Sequence, residues 1–269
     1  MSPFLRLLAL PAAAVGATPA LAEAQRPDAA TLTVFAAASL VDAFEEIGAR
    51  FRHLHPGITL RFNFAGSHQL AAQLEHGALA DVFASADQRW MARVRDLRLA
   101  AGDPVVFARN RLVVILPIGN PAGVERLEDL GRAGLKLVLA ADAVPAGAYS
   151  REMLRQLSRR RGFGADYERR VLANVVSEEE SVKGVVAKVQ LGEADAGLVY
   201  HSDVSSTLAG RLRVLPAPDE ASVVASYPIV ALAASAAPAS ARAFIELVSG
   251  PEGRAILAEH GFVPPADAP

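Results

Sequence analysis

Apolar residues recur along this chain in two alternating rhythms. Thr31 to Ala37 is mostly apolar, with two β-branched threonines at its start, and reads as a buried strand. Leu40, Phe44, Ile47 and Phe51 follow at helical spacing, with Ser39 at the head of the helix and His55-Pro56-Gly57 at its end. Ile58, Leu60, Phe62 and Phe64 then alternate with mostly polar residues, which predicts a second strand. Gly66-Ser67 turns into a helix carrying Leu70, Ala71 and Leu74 that stops at Gly77, and Asp81 to Ser85 reads as a short third strand. The order β-α-β-α-β predicts a parallel sheet with right-handed crossovers.

A second unit of the same kind follows. Leu112 to Leu116 reads as a strand closed by Pro117, and Leu135 to Ala140 as another. Tyr149 to Leu157 and Val182 to Leu191 read as helices, and Ala196 to Tyr200 as a strand. Near the end, Tyr227 to Ala233 reads as a strand. Pro238 to Leu247 reads as a helix with proline in its first turn, where a missing N–H does no harm, and Glu252 to His260 as the last helix. No Pro-, Gly- or Ser-rich linker separates the two units, which favours two α/β lobes joined by more than one chain crossing.

Composition narrows the classes of function. The chain has 269 residues, 52% of them hydrophobic but only 6% aromatic, with Ala, Val and Leu predominating. That suits buried parallel strands flanked by helices. Lys and Arg number 27 against 29 Asp and Glu, and the charges are scattered, so a basic footprint for nucleic acid is missing. The absence of cysteine excludes disulfides, thiolate metal sites and cysteine nucleophiles. At the N-terminus, Arg6 precedes an apolar run, Leu7 to Val15, and Ala20-Leu21-Ala22 has the small residues of a signal-peptidase site. The run is too short to span a bilayer. Residues 1–22 are therefore expected to be a cleaved signal peptide and the mature protein to be periplasmic.

Four expected helix starts fall at strand ends: Ala37-Ala38-Ser39-Leu40, Ala65-Gly66-Ser67-His68, Pro145-Ala146-Gly147-Ala148 and Glu180-Ser181-Val182-Lys183. Open α/β sheets bind ligands at such places, where helix N-termini turn free N–H groups into a crevice. Taken singly, Ser39 and Ser67 read as helix caps, Ser39 with Asp42 at a capping-box-like spacing. Taken together, small residues and neutral donors suit a fully deprotonated oxyanion, which presents only acceptors.

At this point the chain resembles a known family. FAAASLVDAFEEI, FNFAGSHQLAAQLEHGALADVFASAD, VPAGAYSREML, ESVKGVVAKVQLGEADAGLVYHSDV and ASYPIVAL…PEGRAILAEHGFVPP are together similar to the molybdate-binding proteins of ABC-type importers, from Thr31 to Pro265. The resemblance implies a two-lobed periplasmic-binding-protein fold of type II, each lobe a mainly parallel sheet flanked by helices, with the ligand in the cleft. Lobe 1 is expected at residues 31–108 and 228–267 and lobe 2 at 109–227. It also implies that Ser39 and Ser67 give hydroxyls, Ala146 and Val182 backbone N–H groups, and Tyr200 a phenol to molybdate or tungstate. The anion is cargo, so neither a cofactor nor a cation site is expected. The implied partner is the membrane permease of an ABC importer, and the implied state is a monomer. FAGSHQL carries one hydroxyl where some members carry several, which leaves Ser67 alone in that turn.

Other patterns are weaker. His53 and His55 lack a third ligand at metal-site spacing. Ser67 and His68 are adjacent and so do not face each other on a helix. Glu178-Glu179-Glu180 reads as a solvated helix start. Asp81, Asp87, Asp195 and Asp203 read as turn and cap residues. Gly162-Phe163-Gly164 lacks the rest of a dinucleotide fingerprint. The competing functions are a binder of sulfate or another anion, an enzyme on the same scaffold, and a cytoplasmic ligand-sensing domain. The second would need a nucleophile–base pair or a metal in the crevice.

Overall fold

Strand β1 (Ala30–Ala37) organises the first lobe, because its side chains alternate between two separate cores. Leu32, Val34 and Ala36 enter the larger core, and Phe35 enters the smaller. The computed structural model describes residues 30–204, 210–217 and 224–265. The expected signal peptide lies outside them. Among the described residues no helix is long and apolar enough to cross a membrane.

β1 pairs in parallel with β2 (Ile58–Ala65) on one side and β3 (Val82–Ala84) on the other. Helix α1 (Val41–Leu54) covers one face with Phe44, Ile47 and Phe51, which are fully buried against Phe62, Phe107 and Phe244. Helices α2 (Ser67–Glu75) and α3 (Gln88–Asp96) cover the other face with Leu70, Leu74, Met91 and Val94. The α3 helix was not expected from the sequence. Its start is fixed by Asp87, whose carboxylate accepts from Trp90 N at 2.9 Å.

Strand β4 (Val105–Pro117) is thirteen residues long and belongs to both lobes. From Val105 to Arg111 it pairs antiparallel with β9 (Val224–Ala231), and from Leu112 onward with β7 (Ala196–Tyr200) and β8 (Leu212–Pro216). The second lobe is completed by β5 (Leu137–Ala140), which pairs in parallel with β7 and with β6 (Val175–Glu179). Helices α4 (Pro145–Ser158), α5 (Tyr167–Leu172) and α6 (Val182–Gln190) flank these strands. After β9 the chain ends on the first lobe with α7 (Pro238–Ser249) and α8 (Pro251–Glu259). The main strand order is β2-β1-β3-β9-β4-β7-β5-β6.

The fold is thus a two-lobed α/β structure, parallel in the body of each lobe and antiparallel where β4 and β9 join them. Three local expectations change. The strand expected at Leu112 to Leu116 is only the second half of β4. Glu178 and Glu179 end β6 instead of starting a helix. As an edge strand with one free side, β6 tolerates that polarity, and Glu179 is held by Ser177 Oγ at 2.6 Å and Lys188 Nζ at 2.7 Å. Ser39 lies in a 3-10 turn, Ala38–Leu40, that precedes α1.

Candidate functional site

The strands that run parallel end on one edge of each sheet, and these edges face each other across the cleft. Tyr200 is the last residue of β7, Val182 the first of α6, Ala146 the second of α4, and Ser67 the first of α2. Together with Ser39 they line one cavity of about 220 Å³. All five residues singled out in the sequence therefore meet at one place. The cavity lining is Ala, Ser, Gly, Val, Pro and Tyr, with no charged side chain.

Neither serine caps its helix. Ser39 Oγ lies 2.9 Å from Tyr227 Oη, and Ser67 Oγ accepts from Ala86 N at 3.0 Å. At the start of α2 the capping is done by Gln69, whose Oε1 accepts from Gly66 N at 3.1 Å. The serine hydroxyls are thus held on the rim of the cavity by partners distant in the chain, Tyr227 on β9 and Ala86 in the turn after β3.

The second lobe presents backbone. The first N–H groups of a helix have no intrahelical partner, so Ala146 and Val182 sit where donors are left over. Pro145 at the first position of α4 removes one N–H that would otherwise compete. Gly147 lets that turn sit against the end of β5, since a Cβ there would stand 2.0 Å from Ala141 O. Tyr200 is buried, and its Oη has no hydrogen-bond partner among the described residues. Burial foremost pushes its pKa well above 10, so the phenol keeps its proton and remains a donor.

Sequence reasoning missed three features of the site. Ser181 lines the cavity and makes no capping bond, although its place at the head of the fourth junction was a signal. Ala86 contributes through its backbone, which has no sequence signature. Asn110 and Tyr227 lie behind Ser39 and are both fully buried. Asp203 was read as a turn residue, and its Oδ2 does accept from Tyr200 N at 3.0 Å. Burial pushes its pKa up to about 7, against the opposing pull of Lys183 and of the Tyr200 N–H.

Side chains reach across the cleft outside the cavity. Lys183 Nζ lies 3.0 Å from Asp42 Oδ2, and His68 Nε2 lies 3.2 Å from Glu180 Oε2. Trp90 Nε1 and Arg89 Nη2 both donate to Ala143 O, at 2.9 and 2.8 Å. The other expected turn carboxylates behave as read: Asp81 accepts from Thr33 N at 2.7 Å and Asp195 from Lys136 N at 2.8 Å. His55 packs against Phe51 with ring centroids 4.4 Å apart and the planes tilted by 34°.

Residues 32–263 match the family described as bacterial extracellular solute-binding protein. The chain is 42% identical over 237 residues to the molybdate-binding protein ModA of Mycobacterium tuberculosis, covering 88% of this chain and 86% of the relative. Among solved structures, the periplasmic molybdate-binding protein of Azotobacter vinelandii superposes with a TM-score of 0.74 at 22% identity, covering 87% of this chain and 99% of that one. The sulfate-binding protein SubI of Mycobacterium tuberculosis superposes with a TM-score of 0.79 at 15% identity, covering 88% of each chain. At these identities the two superpositions speak for the fold and leave the choice of anion to the site and the sequence.

Proposed function

The chain belongs to the bacterial extracellular solute-binding proteins, and from that premise we propose that it captures molybdate, and tungstate with it, for delivery to the membrane permease of an ABC importer. The observation that carries this reading is Tyr200: a buried, protonated phenol with no partner among the described residues, on a cavity that helix starts reach from both lobes. Ser39 and Ser67 give hydroxyl donors, and Ala146 and Val182 backbone donors. A donor-only cage suits a dianion with no proton to offer. Each charge-assisted hydrogen bond contributes about 1.5–3 kcal/mol, and each helix start about 0.3–1 kcal/mol more. No counter-charge beside the anion is needed. The 42% identity to a protein named molybdate-binding favours that anion over sulfate.

The reading is binding without chemistry. The cavity lining holds no histidine, lysine or carboxylate to act as a general base. Closure of the lobes about β4 and β9 would bury the anion and form the surface that the permease meets. We further propose that the protein works as a monomer outside the cytoplasmic membrane, after cleavage behind Ala22. Sequencing the N-terminus of the exported protein checks that point.

The test of the function is thermal. Anion at about a hundred times its Kd adds about 2.7 kcal/mol of stability, a rise of roughly 5–10 °C in Tm for a chain of this size. Molybdate and tungstate should produce it at micromolar concentration, and sulfate and phosphate should not. No shift with molybdate, or an equal shift with sulfate, would refute the assignment.

A further inference from the structure

Ser39 touches the cavity on one side and a buried polar chain on the other. Its Oγ is 2.9 Å from Tyr227 Oη, which lies 3.4 Å from Asn110 Nδ2. The Asn110 amide is fixed in orientation, because its Oδ1 accepts from Arg111 N at 2.9 Å. Its NH₂ therefore faces Ser202 Oγ, at 2.8 Å, and Tyr227. An amide nitrogen can only donate. Tyr227 Oη thus accepts a hydrogen bond from Asn110, and among the described residues Ser39 Oγ is the partner left to receive its own O–H. Ser39 Oγ accepts that hydrogen, and the serine's own proton is left for the cavity. Ser67 is polarised alike, since its Oγ already accepts from Ala86 N.

We propose that Asn110 and Tyr227 are positioning residues that lock Ser39 as a donor toward the bound oxyanion and thereby set selectivity against protonated anions. This rests on the oxyanion reading of the cleft. A serine hydroxyl is amphoteric, and one free to rotate can turn its lone pairs to a P–OH group. One that already gives a lone pair to Tyr227 has a single lone pair left and fewer orientations in which it meets such a group, which biases it toward donation. Tyr227 does not line the cavity and acts through Ser39. The device sits in the two strands that join the lobes, Asn110 on β4 where it passes from β9 to β7 and Tyr227 on β9. Through Ser202 it also reaches the turn that follows Tyr200, so the hydroxyl of one lobe and the phenol of the other are set by a common scaffold.

The experiment is a double-mutant cycle by calorimetric titration with molybdate, using wild type, Tyr227→Phe, Ser39→Ala and the double variant. Phenylalanine keeps the ring contacts that Tyr227 makes with Phe107, Tyr200 and Phe262. Tyr227→Phe should weaken molybdate binding about 3–10-fold in the wild-type background and less than about twofold when Ser39 is already alanine. Titration of the same proteins with phosphate at pH 6, where it carries a proton, should show the molybdate-to-phosphate ratio falling in Tyr227→Phe. Equal losses in both backgrounds would make Tyr227 a merely structural residue and overturn the proposal, as would an unchanged ratio. A wild-type protein that binds no molybdate would instead overturn the oxyanion reading itself.

Discussion

Gly66 in the first lobe and Glu180 in the second approach so closely that no side chain fits between them. A Cβ on Gly66 would stand 2.8 Å from the carbonyl oxygen of Glu180 and 2.6 Å from the His68 ring of its own lobe, a side chain that can turn aside where the backbone oxygen cannot. The missing side chain admits the other lobe. With φ −60° and ψ 138° the glycine adopts a conformation open to any residue, so the demand is steric. Gly66→Ala should therefore leave the ligand-free Tm nearly unchanged while opposing closure. At about 1–3 kcal/mol for a forced overlap, molybdate affinity should fall by roughly 5- to 150-fold. A loss of Tm with unchanged affinity would place the strain within the lobe instead.

Lys183 and Asp42 join α6 to α1 across the cleft, with both side chains about one-third exposed. Such a pair contributes about 0.2–1 kcal/mol and is screened by salt. Lys183→Met should weaken molybdate binding by less than about fivefold, and the difference from wild type should shrink between 50 mM and 500 mM salt. A larger, salt-independent loss would mean that this ammonium acts on the anion directly.

Asp203 gives the protein a pH dependence whose sign can be worked out. Its folded pKa, about 7, lies above the ordinary carboxylate value because burial favours the neutral acid. The folded state therefore holds the proton more tightly than the unfolded chain. The contribution to stability is complete at low pH and is lost as pH rises toward 7, by about 1.4 kcal/mol per pH unit within that window. Asp203→Asn keeps an oxygen for Tyr200 N and cannot ionise. It should match wild type in denaturant unfolding near pH 4 and exceed it at pH 8. Equal stability at both pH values would show that Asp203 ionises freely in the fold.

In the proposed cage Ser67 would carry two duties, a donor for the anion beside the acceptor that it already is for Ala86 N. Ser67→Ala should lower molybdate affinity by roughly 10- to 150-fold, the worth of one charge-assisted hydrogen bond. Ser67→Thr, which keeps the hydroxyl, should recover part of the loss. If Ser67→Ala binds as wild type does, that side of the cage is formed by backbone alone.

Much of this architecture is legible in the sequence because it is written in short-range patterns. The apolar run before Ser39, the alternation through Phe64 and the helical spacing of Phe44, Ile47 and Phe51 each depend on residues a few positions apart. The first half of β4 was missed because Arg109-Asn110-Arg111 breaks the apolar pattern where the strand passes between lobes. The edge strand β6 was misread because one free side relieves it of the need for an apolar sequence. The five ligand candidates came from the family resemblance, and two of them, Ala146 and Val182, would act through backbone that no side chain signals. Asn110 and Tyr227 stand 117 positions apart, and only the folded chain makes them neighbours of Ser39.

The most direct measurement is a crystal structure of the mature protein grown with molybdate, with diffraction recorded at the molybdenum absorption edge. The expected result is one strong anomalous peak between the lobes, with oxyanion oxygens within about 3.2 Å of Ser39 Oγ, Ser67 Oγ, Tyr200 Oη and the backbone nitrogens of Ala146 and Val182. A peak elsewhere on the molecule, or none in a cleft closed around water, would contradict it.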